Sequence, residues 1–197
     1  MASTSSPYGL QVISDMVGSV RPLNIPNGIA SGYAANIFYG SPVVLNASTG
    51  VLQAVTATTD KIYGVFLGCY YTATGGDPRP SPFWASGATY ASNELMYAQI
   101  IPGWIPGLRF QIQADGAVDQ TALGAEFNLS NFTAGSTITG QSAITAAATQ
   151  VAASSQGQLV LHEFYPGVNS AIGDAYTDLI VSIAYPQAGN GYQTSIG

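Results

Sequence analysis

One histidine and ten carboxylates make up nearly all the acid–base chemistry of this 197-residue chain, so a hydrolytic mechanism would have to pass through His162. It lies in Leu159-Val160-Leu161-His162-Glu163-Phe164, where strand alternation places it opposite the face of Leu159 and Leu161. A general base needs a nucleophile within hydrogen-bond reach and a carboxylate to orient it. The nearest approach to a nucleophile elbow, Gly140-Gln141-Ser142-Ala143-Ile144, lacks the second glycine and the strand–turn–helix context. The pattern favours a solvated or edge-strand histidine over a Ser/His hydrolase.

The carboxylates pair thinly. Asp115 and Asp119 flank a turn, Asp174 and Asp178 bracket Ala175-Tyr176-Thr177, and Glu163 sits where a neighbouring strand could bring it near either pair. A glycosidase needs two carboxylates facing across a cleft, one with a raised pKa. A calcium site needs several converging oxygens, and no segment matches the twelve-residue calcium loop. Asp-Gly is a common turn dipeptide, so turn and cap roles are expected, with no catalytic residue, no metal site and no cofactor. Gly189-Asn190-Gly191-Tyr192 has no helix after it to cradle phosphate. The triplets at Asn46, Asn128 and Asn131 follow from an Asn/Ser/Thr-rich composition. The one cysteine, Cys69 in Val65-Phe66-Leu67-Gly68-Cys69-Tyr70-Tyr71, excludes an intrachain disulfide and reads as a buried, inert thiol.

Composition narrows the classes further. Only 7% of residues are charged and the net charge is −6. With four basic side chains the chain has no material for a phosphate-binding surface, which excludes nucleic acid and anionic membranes as main partners. The N-terminus lacks a basic region followed by an apolar one, and no apolar run approaches the ~18 residues of a membrane span, so a soluble protein without an export signal is expected. A surface with few ions is easy to desolvate, which suits coverage by another protein.

The elements that would position these residues follow a period of two. Residues 1–28 read as an extended arm, with Pro22 and Pro26 forbidding helix. Residues 29–187 read as one β domain. Ser41–Ala47 and Val51–Val55 form a hairpin through Ser48-Thr49-Gly50. Lys61–Thr72 is a strand with aromatic residues on both faces, ending at the turn Gly75-Gly76-Asp77-Pro78, after which Pro80 and Pro82 break regular pairing. Further strands are expected at Glu94–Ile101, Leu108–Gln113, Ala125–Leu129, Gln158–Phe164 and Asp178–Ala184. Ala143–Ala153 fits a short helix or an irregular edge element equally well. Residues 188–197 read as a flexible tail. The fold class is all-β: a β-sandwich or partly closed β-barrel of short antiparallel strands with Pro/Gly-rich loops.

Aromatic residues are plentiful on the loops. Trp84 and Trp104 lie in Pro/Gly-rich segments, where interface anchoring competes with core burial. With Phe83, Tyr71 and Tyr90 they form the candidate protein-interface set.

Several ordered segments carry a family likeness. Ile29-Ala30-Ser31-Gly32-Tyr33-Ala34 and Ile37-Phe38-Tyr39-Gly40-Ser41-Pro42-Val43-Val44 come first, then Tyr63 to Tyr71, Ser81-Pro82-Phe83-Trp84-Ala85-Ser86-Gly87, Phe110 to Ala114, Thr139 to Ser142, and Gly173 to Tyr176. In that order they resemble the small structural proteins encoded beside the major capsid gene of tailed phages, over residues 29–185. Phe83 and Ala85 depart from the Tyr and Pro of the family pattern. The resemblance implies a capsid cement, or decoration, protein on the outer surface of a virion, made in the host cytoplasm. Its partner would be the major capsid protein, and a homo-oligomer (dimer or trimer) would match lattice symmetry. A head-fibre, tail or receptor-binding module is the alternative, and a glycan hydrolase using Glu163, Asp174 or Asp178 a third. No catalytic residue is implied.

Overall fold

Alternating apolar residues and frequent Gly/Pro punctuation produce short strands and almost no helix. The computed structural model describes residues 4–14, 20–92, 94–165, 167 and 170–187. Its strands are Gln11–Ser14 (β1), Leu23–Pro26 (β2), Pro42–Leu45 (β3), Leu52–Ala54 (β4), Gly64–Thr72 (β5), Pro78–Ser81 (β6), Tyr97–Pro102 (β7), Arg109–Gln113 (β8), Glu126–Ser130 (β9), Thr145–Gln150 (β10), Leu159–Phe164 (β11) and Asp178–Ile183 (β12). A single turn of 3-10 helix spans Gln120–Ala122. The strands form two antiparallel sheets. The first has the order β1-β8-β12-β11-β9-β10; the second has the order β2-β7-β5-β3-β4, with β6 added to β5.

The first sheet curls until Ala146 meets Ala114, just past β8, in one parallel bridge. The Asp115 N–H donates to the Ala146 carbonyl at 2.8 Å, and Asp115 Oδ1 accepts the Ala148 N–H at 2.8 Å. That bridge stops short of closure, and the two sheets pack as a sandwich. The inner face of the first sheet (Phe110, Ile112, Phe127, Leu159, Leu161, Leu179, Val181) meets Val65 and Ile101 of the second in one buried cluster. The remaining face of the second sheet is also covered. Phe66, Cys69, Tyr71, Ala98 and Ile100 pack under Ile29, Ile37 and Trp84, which come from the segments before β3 and after β6. The molecule therefore has three layers, and β5, buried on both faces, needs the nearly continuous apolar run it has.

At Gly68 a bulge resets the alternation of β5. The register passes from Phe66↔Ile100 to Gly68↔Gln99, and Gly68 has φ +135°. A β-carbon there would stand 2.9 Å from the Ser81 carbonyl oxygen, so the position needs glycine on both counts.

Several expectations are corrected. The described part of the 1–28 arm is extended but built into its own chain: β1 pairs with β8, β2 pairs with β7, and Leu10 is buried in the main core. Short strands beside a sheet edge carry no local signal of whom they pair with. Pro80 does not break pairing; β6 is an edge strand, where the N–H missing from proline faces outward. Of the two readings of Ala143–Ala153, the edge element is the one formed, as β10. The 188–197 tail lies outside the described residues. Among the described residues no helix is long and apolar enough to cross a membrane.

Candidate functional site

His162 sits at a bulge in β11, between the pairs Leu161↔Val181 and Glu163↔Ile180. Its ring faces outward, as alternation along β11 requires, and Nε2 lies 2.7 Å from Ser182 Oγ. Burial, followed by the charge of Arg109, holds its pKa below the ordinary histidine value. The hydroxyl beside the ring is thus that of Ser182; Ser142 is buried, and its Oγ accepts the Ile144 N–H inside the core. The pair lies on an exposed sheet face, and among the described residues no carboxylate is hydrogen-bonded to the ring. It is a dyad without an orienting group, and it ties the outer faces of β11 and β12 together.

Of the carboxylates named above, Asp115 and Asp174 lie at bends and Asp119 precedes the 3-10 turn, while Asp178 lies in β12 and Glu163 in β11. Asp60 Oδ2 accepts the Thr56 and Ala57 N–H groups at 2.8 and 3.0 Å, and Asp174 Oδ2 accepts the Ala171 N–H at 3.2 Å. Glu126 Oε2 accepts the Gly157 N–H at 2.6 Å. Among the described residues no three His, Cys, Asp or Glu side chains converge as a metal site would require. A shallow, open recess of about 500 Å³ lies between Asn27, Ser31, Tyr90, Glu94 and Leu95, and Glu94 is the one carboxylate on its wall.

The interface candidates separate into two groups. Trp84 is fully buried: its ring lies 5.2 Å from Tyr71 and 6.3 Å from Tyr90, and Nε1 donates to the Tyr33 carbonyl at 3.4 Å. Tyr71 is buried beside it, and the Tyr90 hydroxyl donates to the Ile29 carbonyl at 3.2 Å. These three hold the loop layer onto the second sheet and are not free anchors. Phe83 is half-buried, stacked on Phe38 at 5.7 Å. Trp104 alone keeps substantial exposure, 36%, with one face against Tyr63 at 4.7 Å.

Among the described residues, the most exposed large apolar side chain belongs to a residue that the sequence did not single out. Ile138, 95% exposed, stands at the tip of Ser136–Gly140. Ser136 Oγ accepts the N–H groups of Ile138 and Thr139, and the Gly140 N–H donates to the Ser136 carbonyl at 2.7 Å. The tip is therefore braced by its own backbone. Gly140 lets it sit against Pro82 and Phe83, where an added β-carbon would come within 2.7 Å of Pro82 Cγ. The turn thus presents an exposed apolar tip beside a half-buried aromatic ring. A Thr-Ile-Thr-Gly run gives no sign of this, because periodicity is silent in turns. Neither protein-family models, curated proteins nor solved structures yield a match to this chain.

Proposed function

We propose that this protein is a capsid decoration protein, which binds the outer surface of a phage head and bridges neighbouring capsomers. The observation that carries the reading is Ile138, held almost wholly in solvent by a braced turn on an ion-poor β-sandwich. Fully burying such a side chain stabilises a complex by roughly 1.5–3 kcal/mol. The small charge stock means that few hydrated ions must be stripped when a partner covers the surface. The ordered likeness of residues 29–185 to head structural proteins supplies the class of partner. Binding only the assembled shell opposes its opening by mass action, by about 2.7 kcal/mol per site at a hundred times Kd.

Co-sedimentation of the purified protein with empty heads that lack it tests the reading, followed by cryo-EM of the decorated particle. Near-stoichiometric binding at capsomer junctions is expected. Failure to bind shells, or a low copy number confined to a tail or fibre, overturns it.

A further inference from the structure

Beyond the edge of the first sheet, the second sheet presents an uncovered half, and the residues on it form an ordered pattern. The register Pro80↔Tyr70, Tyr70↔Tyr97 and Tyr97↔Pro26 places four rings in one row across β6, β5, β7 and β2. All four point away from the Trp84 layer, because Cys69, Ala98 and Ile25, one position along each strand, pack into that layer. Tyr70 is 46% exposed, Pro80 and Pro26 are exposed, and Tyr97 is half-buried. The next row on the same face is Gly68–Gln99–Asn24, with Gln99 and Asn24 exposed. Neither row contains Asp, Glu, Lys, Arg or His.

We propose that this face is a self-association surface, on which a second copy of the chain packs about a two-fold axis running along the strands between Tyr70 and Tyr97. The row reads Pro–Tyr–Tyr–Pro in either direction. Turning a copy over about that axis therefore sets Tyr70 against the partner's Tyr97, and Pro80 against the partner's Pro26. This is the reciprocal matching that an isologous contact requires. The charge pattern points the same way: two copies, each carrying −6, meet most easily on a face without carboxylates. Facing tyrosines supply offset aromatic pairs, and the amides of Gln99 and Asn24 form a polar flank. The two rows cover only about 14 Å across four strands and ~7 Å along them, a patch far smaller than the ~800 Å² per partner of a stable interface, so a weak, reversible dimer is expected at micromolar concentrations and above. The inference deepens the oligomer expected of a decoration protein but needs no shell, so the two readings fail separately.

Sedimentation equilibrium of the full chain alone is the test. A concentration-dependent dimer is expected, weakened at least tenfold by Tyr70→Asp or Tyr97→Asp, with far-UV circular dichroism and the urea midpoint unchanged. The axis is checked in a Cys69→Ala background. Facing sheets stand ~10 Å apart, beyond disulfide reach, so a short bismaleimide serves as cross-linker. It should join Pro80→Cys chains to Pro26→Cys chains in a mixture, which face each other at ~10 Å, and neither to itself, because like positions at the ends of the row stand ~17 Å apart. A monomer throughout the micromolar range overturns the proposal. So does a dimer indifferent to both Asp variants, like-with-like cross-linking, or a monomer that instead binds neutral oligosaccharides through Tyr70 and Tyr97.

Discussion

The Tyr8 hydroxyl donates to Asp178 Oδ1 at 2.9 Å, joining residues 170 positions apart. Around them the Ser6 N–H donates to Gln113 Oε1 at 2.8 Å, and the Tyr8 carbonyl accepts from Gln11 Nε2 and Gln141 Nε2. Burial raises the Asp178 pKa above the usual carboxylate value, against the lowering effect of its bonds to Tyr8 and Gln113. Burial, then the Asp178 charge, raises that of Tyr8.

Ionising Asp178 therefore costs the native state more than the unfolded one. Its favourable contribution is complete below the ordinary carboxylate pKa and is lost as pH climbs through the raised value. Asp178→Asn should abolish that slope in urea midpoints measured across the acid range. Tyr8→Phe should cost about 0.5–1.5 kcal/mol and push the Asp178 pKa further up, moving the loss of stability to higher pH. NMR titration of the Asp178 carboxyl reads the second effect directly.

The two tryptophans should behave oppositely. Trp84→Ala removes the largest side chain of the loop layer and should cost about 3–5 kcal/mol. Trp104→Ala removes a partly exposed ring stacked beside Tyr63 and should cost clearly less than Trp84→Ala. In the native protein, acrylamide should quench Trp104 emission and leave Trp84 emission blue-shifted and protected.

Cys69 should be chemically silent until the protein opens. Burial pushes its thiol up to about 12, and its Sγ lies 3.7 Å from the Phe83 carbonyl oxygen. At neutral pH this leaves very little of the reactive thiolate. The alkylation rate should follow urea unfolding. Fast labelling of the native protein would contradict the packing of the Trp84 layer.

Ile138→Asp should leave the melting temperature within about 0.5 kcal/mol equivalent, as at other solvent-facing sites, because nothing in the fold leans on it. Binding to empty heads should fall by roughly tenfold or more, because an apolar tip is replaced by a charge that must be desolvated. Unchanged shell binding would remove Ile138 from the docking surface.

Strands buried against a partner sheet were legible in the chain, because period-two alternation is written by burial. Asp178–Ala184 and Gln158–Phe164 match β12 and β11 to within a residue at each end. The hairpin around Ser48-Thr49-Gly50 lies where expected, with shorter strands. What escaped was pairing at the edges: β1, β2 and β6 are four residues each, and β2 and β6 contain proline, so their order comes from neighbours distant in sequence. The role of Trp84 escaped for a related reason. Aromatic residues on both faces of Lys61–Thr72 already implied a strand covered twice, and the Pro-rich loop carrying Trp84 is the second cover. Ser182 was missed as the partner of His162 because alternation gives the outer face of each strand but not that β11 and β12 are neighbours, nor their register.

The opening strand has to wait for its mate. Gln11 pairs with Gln111, so at ~5–20 residues per second a ribosome needs roughly 5–20 s to supply β8 after β1 has been made. During that interval Gln11–Ser14 is a ready-made edge with no sheet to join, and any neighbouring nascent copy offers the same β8 acceptor. Exchange of the first strand between chains is thus the misassembly inherent in this topology, and crowded synthesis favours it.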